Sequence, residues 1–254
     1  MWNLISTRVT QFDYFDRLLD RPRWKGSRVL DFGGNIGTFL VGAGDNVAHE
    51  DYVCLDLNRT VIEQGRLNYP RARFVHYDRY SPQYNPTGVR GLPIPDCGSE
   101  FDIILAFSVF THIDWSEMVE LVGQLRAMLA PRGVLAFTFC DPSYERSSTD
   151  PGFPPGTPLQ KFLEWQRAES LGQDDATIDA MAERIRRSRW FVVIDDELHV
   201  EPGIELCHQT RSGRAHEDYC SYFTVEFVES LFPDAQVLPP VSPEWQHCCI
   251  LRRD

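Results

Sequence analysis

The stretch Val29-Leu30-Asp31-Phe32-Gly33-Gly34-Asn35-Ile36-Gly37-Thr38-Phe39-Leu40 constrains the fold of this chain more than any other. It reads as a buried strand, a tight turn and the start of a helix. Val29 and Leu30 are apolar, and Val29 favours β structure. Gly33 and Gly34 permit backbone conformations that side chains forbid. Asn35 is the non-glycine residue that best tolerates a left-handed conformation. A helix opening after Gly37 presents free N–H groups, and the positive end of its dipole, to whatever lies in the turn. Such a turn accepts a nucleotide or an anionic small molecule. A dinucleotide site wants G-x-G-x-x-G. Read from Gly33, its second and third glycines fall on Asn35 and Thr38, which disfavours a nicotinamide oxidoreductase.

The chain has 254 residues, enough for one large α/β domain or a domain with a substantial insertion. Hydrophobic residues make up 43%, so a packed core is feasible. The net charge of −12 argues against a nucleic-acid partner, which needs clustered Lys and Arg. The one basic run, Arg184-Ile185-Arg186-Arg187-Ser188-Arg189, reads as a solvated helix face. The seven cysteines are Cys54, Cys97, Cys140, Cys207, Cys220, Cys248 and Cys249, with no C-x-x-C pair. Cys54 and Cys140 fall in or beside expected buried strands, which suits a reducing cytoplasm. Cys207-His208, His216, Cys220 and His247-Cys248 match no zinc spacing, so no metal is expected. The N-terminus lacks a basic start followed by an apolar run, and no stretch approaches the length of a membrane span. Neither a signal peptide nor a transmembrane helix is expected, and no membrane partner.

In chain order, Asn3 to Asp20 has apolar residues at helical spacing: Ile5, Val9, Phe12, Phe15 and Leu19. Tyr14 and Arg17 lie off that stripe; they are able to cap a cofactor, but a surface helix is the simpler reading. The second strand, Tyr52-Val53-Cys54-Leu55-Asp56-Leu57, is nearly all apolar, as in a parallel sheet covered on both faces. Asp56 stands at its carboxyl end, where ligands bind in open α/β sheets. Asn58 is set to cap the helix Arg59 to Asn68. The third strand, Arg73 to Tyr77, also ends on an acid, Asp78. Residues 79–98 form a Pro/Tyr/Gly-rich connection too long to be routine. A fourth buried strand, Phe101 to Ser108, leads into Val109-Phe110-Thr111-His112-Ile113 and a helix from Ser116 to Leu129. Ala130-Pro131-Arg132-Gly133 then turns the chain into a fifth strand, Val134 to Phe139. Near the C-terminus a helix (Thr224 to Phe232) and two strands (Gln236 to Val241, Gln246 to Arg252) are expected.

The pattern D-x-G-x-N-x-G, the acids Asp56 and Asp78, the segment F-D-I-I-L-A-F-S-V-F-T-H and the run L-A-P-R-G-V-L occur in that order. Together they resemble the core of class I S-adenosylmethionine (SAM) methyltransferases, whose glycine turn is usually [DE]-x-G-x-G-x-G. The resemblance covers residues 28 to 140 and returns at the C-terminal helix and strands. It implies a Rossmann-like α/β fold, a seven-stranded mixed sheet with helices on both faces, and SAM as cofactor. It also implies roles. Asp31, Gly33, Asn35 and Gly37 hold the methionine portion. Asp56, with Leu57 beside it, binds the ribose hydroxyls. Asp78 receives the adenine amino group, with Tyr77 packing nearby. Phe107 and Ser108 approach the methionine moiety and the sulfonium. Asn35 replaces the middle glycine of the family pattern.

Residues 141–222 lie outside the common core, which takes in 1–140 and 223–254. The insertion after the fifth strand is expected to be a lid. It should hold helices over Leu159 to Leu171 and Ala176 to Arg189, strands over Trp190 to Ile194 and Asp218 to Phe223, and aromatics able to line an acceptor pocket. His112 follows the fourth strand on the cofactor side and is the best-placed base, since imidazole titrates near neutrality. A structural histidine capping the next helix is the competing reading. His216, Glu217 and Asp218 are weaker candidates. The expected partner is a small-molecule acceptor, methylated at O or N more readily than at C, with homodimerisation left open. A non-methylating cyclisation or rearrangement on the same fold, and a non-catalytic SAM-binding module, are the alternatives.

Overall fold

A computed structural model describes residues 10–98, 100–145, 157, 160, 163–164, 175–194, 197–200, 204–207, 220–241 and 244–254. The first described helix, α1 (Gln11–Leu18), is closed at its start by a reciprocal cap. Thr10 Oγ1 accepts from the Asp13 amide, and Asp13 Oδ2 accepts from the Thr10 amide. The expected helix began at Asn3; that part lies outside the described residues. Tyr14 is not a surface residue. It is buried, and its hydroxyl donates to the Gln246 carbonyl.

The strands β1 (Val29–Phe32), β2 (Tyr52–Asp56), β3 (Arg73–His76), β4 (Phe101–Ala106) and β5 (Leu129–Phe139) run parallel. Two C-terminal strands, β10 (Gln236–Leu238) and β11 (His247–Arg252), complete a seven-stranded sheet in the order β10-β11-β5-β4-β1-β2-β3. Only β11 runs against its neighbours: it is antiparallel to both β5 and β10. The strand expected over Gln236 to Val241 stops at Leu238 because Pro239 has no N–H for the ladder. The expected turn at Ala130 to Gly133 is absorbed into β5 as an irregularity, with Arg132 left-handed at φ +65° and a register shift against β4.

Side chains alternate across this sheet. Leu30, Ile104, Leu135 and Leu251 face α4 (Trp115–Ala127) and α6 (Val225–Leu231). Val29, Tyr52, Leu105 and Ala136 face α1, α2 (Thr38–Ala43) and α3 (Arg59–Asn68). Both faces are covered, which is why the central strands read as apolar runs rather than alternating ones. The basic run falls on α5 (Asp175–Arg187), where Arg186 and Arg187 are exposed and Arg187 pairs with Glu183.

The insertion holds a second, antiparallel sheet in the order β8-β7-β6-β9: β6 (Trp190–Ile194), β7 (Glu197–Val200), β8 (Ile204–Cys207) and β9 (Cys220–Phe223). The strands at 197–200 and 204–207 were not expected; Glu197-Leu198-His199-Val200 and Ile204-Glu205-Leu206 do alternate, but each run is only four residues long. The helix expected over Leu159 to Leu171 falls largely outside the described residues. The Phe223 amide donates to the Cys140 carbonyl at 2.9 Å, and Ser221 Oγ donates to the Ile113 carbonyl. Asp141 Oδ2 accepts from the Val225 amide at the start of α6. β9 is therefore tied to the core just past the carboxyl end of β5. Among the described residues, no helix is long and apolar enough to cross a membrane.

Residues 79–98 are held by a buried ion cluster. The Arg79 guanidinium bonds Glu117 at 2.7 Å, Glu120 at 2.9 Å and the Leu92 carbonyl at 2.7 Å. Burial works against its charge, but the bonds to Glu120, Tyr77 and Glu117 outweigh this and raise its pKa. Replacing one member of a buried pair strands the other. Arg79→Met should therefore lower the unfolding free energy by about 2–4 kcal/mol, toward the lower end because Glu120 is partly solvated. Urea denaturation followed by circular dichroism measures it, and a loss within about 0.5 kcal/mol, the scale of neutral surface substitutions, would show the cluster to be dispensable.

Candidate active site

The strand order reverses between β1 and β4. β2 and β3 add on one side of β1, while β5 adds beyond β4 on the other. Chains leaving the carboxyl ends of β1 and β4 therefore diverge and open a crevice at the edge of the sheet. The glycine turn leaves β1 at this point, and Phe107-Ser108 leaves β4 beside it.

The turn is built from left-handed residues: Gly33 at φ +75°, Asn35 at +56° and Gly37 at +86°. Any side chain on Gly33 would collide with Val109 Cγ2, and one on Gly34 would collide with the Asp31 carboxyl group. The backbone thus lies closer to its neighbours than a Cβ allows. The Gly33 amide donates to the Leu55 carbonyl at 2.7 Å and extends the ladder one residue beyond β1. The Asn35 amide donates to Asp56 Oδ2 at 2.9 Å, and the Asn58 amide to Asp56 Oδ1 at 2.8 Å. One carboxylate at the end of β2 thus holds both the β1 turn and the start of α3. Burial raises the Asp56 pKa, against the lowering effect of these amides.

Asp31 lies behind the turn. It is 2% exposed and accepts from the Tyr52 hydroxyl at 2.5 Å. Burial pushes its carboxyl up to about 7; the Tyr52 bond opposes this and the Asp56 charge adds to it. Asp78 is exposed and accepts from Asn85 Nδ2 at 3.0 Å. Tyr77, next to it, turns the other way. It is buried in the core beside Phe32, and its hydroxyl donates to the Leu92 carbonyl at 2.5 Å. Leu57 is half-buried, and its carbonyl bonds His76 Nε2.

Phe107 is half-buried and edge-on to Tyr14 and Phe15. Ser108 is left-handed at φ +56°, a conformation uncommon for a non-glycine residue and held here by its surroundings. Its amide donates to Thr138 Oγ1 at 2.7 Å, and its hydroxyl accepts from Gln246 Nε2 at 3.0 Å. Thr138 in turn donates to Gln246 Oε1 at 2.5 Å. Sequence reading missed Gln246, Thr138 and Arg79. Nothing local marks Gln246, which lies 138 residues from the serine it supports.

His112 ends a short 3₁₀ turn, Phe110–His112, and is half-buried. Asp114, not His112, caps α4 by accepting from the Ser116 and Glu117 amides. The His112 ring meets Tyr84 edge-on at 5.2 Å, and its Nε2 lies 3.3 Å from the Tyr84 hydroxyl. The long connection thus reaches the end of β4. His216, Glu217 and Asp218 lie outside the described residues, as do His208 and most of the lid aromatics.

Residues 30–135 match a family model described as a methyltransferase domain. The matched stretch makes up less than half of the chain. It runs from β1 into β5 and so contains the glycine turn, Asp56, Asp78 and His112. No curated protein matches the sequence. The fold is similar to that of a SAM-dependent methyltransferase from Clostridium acetobutylicum, at 10% identity and TM-score 0.54, covering 98% of this chain and 94% of that one. It is similar also to a SAM-bound amino pentose methyltransferase from Micromonospora echinaspora, at 16% identity and TM-score 0.51, covering 95% and 92%. A glycopeptide N-methyltransferase complexed with SAM aligns at 10% identity and TM-score 0.53, covering 98% and 96%. These likenesses establish the class I methyltransferase fold around the domain.

The Asp31 environment makes a prediction about pH. An acid whose native pKa lies above its unfolded value near 4 favours the folded state while protonated. That contribution is fully present below about pH 4 and is lost as pH rises through about 7. Asp31→Asn should remove the loss. Between about pH 4 and pH 8 the wild type should lose on the order of 3 kcal/mol of stability relative to the variant. Urea titrations of both proteins across that range test it; a constant difference would show that Asp31 does not titrate there.

Proposed function

We propose that this chain is a SAM-dependent methyltransferase that moves a methyl group to an oxygen or nitrogen nucleophile of a small molecule. One observation carries the reading. A left-handed glycine turn and the carboxylate of Asp56 are hydrogen-bonded to each other at the switch point of a class I methyltransferase fold. The turn suits the cofactor in the donors and acceptors of exposed Asn35 and half-buried Asp56, while Gly33 and Gly34 let its backbone pack against Val109 and Asp31. In this reading Asp31, Gly33, Asn35 and Gly37 hold the methionine portion, Asp56 and Leu57 the ribose, Asp78 the adenine, and Phe107 and Ser108 the sulfonium side. Tyr77 belongs to the wall behind Asp78. When bound, the cofactor supplies an electrophilic methyl group on sulfur.

The chain's own residues then have to orient the acceptor and remove its proton. His112 lies at the carboxyl edge past β4, next to Tyr84, and we assign it that proton. The Tyr84 hydroxyl bonds Nε2 and so orients the ring. Residues 141–222 close over this edge and select the acceptor; the bonds of β9 to Cys140 and Ile113 support that position. Two neighbours in the fold comparison are named for an amino pentose and a glycopeptide, which supports a small, polar acceptor. The buried free cysteines Cys54, Cys97, Cys248 and Cys249 support a cytoplasmic setting.

Calorimetry should show SAM and S-adenosylhomocysteine binding in the micromolar range, near about −8 kcal/mol. Asp56→Ala should weaken both by about 1.5–3 kcal/mol, the scale of a hydrogen bond to a charged group. Unchanged affinity would remove Asp56 from the ribose role. Mass-shift screening of hydroxyl and amine compounds with SAM identifies the acceptor; cofactor left intact after turnover would sink methyl transfer. With an acceptor in hand, His112→Asn should lower turnover by about 10²–10⁴-fold while SAM affinity stays at the wild-type value. Near-normal turnover in that variant would make the histidine structural.

A further inference from the structure

Asn35 stands where the family pattern has its middle glycine, and its polar groups are unequally engaged. The amide N–H donates to Asp56 Oδ2 at 2.9 Å. The carbonyl accepts from Cys54 Sγ at 3.4 Å. Side-chain Oδ1 accepts from the Ile36 amide at 2.7 Å. A backbone N–H only donates, so the side-chain atom facing Ile36 is the oxygen, and Nδ2 is the other atom. Asn35 is exposed, and among the described residues Nδ2 makes no hydrogen bond to the protein. The turn therefore holds the backbone of Asn35 against Asp56 and its Oδ1 against Ile36, and leaves two side-chain N–H donors exposed on the residue next to that carboxylate.

Ionised Asp56 only accepts, so ribose hydroxyls bound there turn their protons toward it. Each hydroxyl oxygen then keeps lone pairs that need a donor. We propose that Asn35 Nδ2 donates to a ribose oxygen of the bound cofactor, a side-chain contact that glycine at this position cannot make. The inference rests on reading the turn as a SAM site, in which the Asn35 main chain serves the methionine portion, and adds its side chain as a chain-specific determinant toward the ribose. Substituting glycine at a left-handed position costs no conformational strain. It exchanges one donor for a free backbone, and this chain keeps the donor.

Two variants and two probes test it by calorimetry. Asn35→Gly retains the turn conformation and removes the side chain. Asn35→Asp retains the shape and an acceptor for the Ile36 amide but has no donor, which separates donor loss from a loosened turn. The probes are SAM and 5′-methylthioadenosine, which has the ribose and adenine but not the amino-acid portion. Asn35→Gly should weaken both by about 3- to 10-fold, the scale of one neutral hydrogen bond. Asn35→Asp should weaken both further, because a second carboxylate then faces the ribose oxygens. Thermal melts near that of the wild type would confirm intact folding in both. Wild-type affinity in either variant, tighter binding by Asn35→Gly, or a loss confined to SAM would overturn the proposal. A wild-type protein that binds neither probe overturns instead the reading of the site, and this inference with it.

Discussion

The hydrogen bond from the Asn35 amide to the Asp56 carboxylate joins two loops that leave neighbouring parallel strands. Without it, the chain after β1 and the chain after β2 would each follow their own course from the sheet edge. With it, the left-handed turn at Gly33, Asn35 and Gly37 has a fixed position relative to the end of β2. The second carboxylate oxygen takes the Asn58 amide, so the start of α3 is placed by the same group. A carboxylate suits this task because it has several lone pairs and no donor to satisfy. Its burial is costly, and the amide bonds offset part of that cost.

A second brace works on the other side of the crevice. Ser108 occupies a backbone region that a serine rarely adopts, and three polar groups hold it there. Thr138 comes from β5, Gln246 from the residue before β11, and Thr111 from the turn that carries on to His112. The Gln246 carbonyl also accepts from Tyr14 of α1. The termini of the described chain thus meet over the end of β4. This explains why the antiparallel strand β11 matters to the site although two strands, β5 and β4, separate it from β1.

Much of this was legible in the sequence because parallel strands buried on both faces are apolar along nearly their whole length. Val29 to Phe32, Tyr52 to Leu55 and Phe101 to Ala106 announce themselves in that way, with Asp31 and Asp102 as the polar exceptions. The glycines and Asn35 mark left-handed positions by their chemistry alone. What was not legible depends on distance along the chain. Tyr14 reads as a surface residue because its partner is at position 246. Tyr77 reads as a neighbour of Asp78 in the site, but just past β3 the two part company: Tyr77 is buried in the core and Asp78 is exposed. Gln246 carries no local signal. The hairpin of β7 and β8 does alternate, but over four residues a strand, too short a run to stand out, so only β6 and β9 of the second sheet were read.

The insertion leaves the core at Cys140 and comes back at Phe223, where the two residues are hydrogen-bonded. Its two ends therefore meet at one point of the sheet edge. The entropy of closing such a loop grows only with the logarithm of its length. The core consequently pays little when this segment is lengthened, shortened or replaced. On the function proposed above, the acceptor side of the reaction is the part of the chain that has this freedom, while the sheet that carries the turn stays fixed.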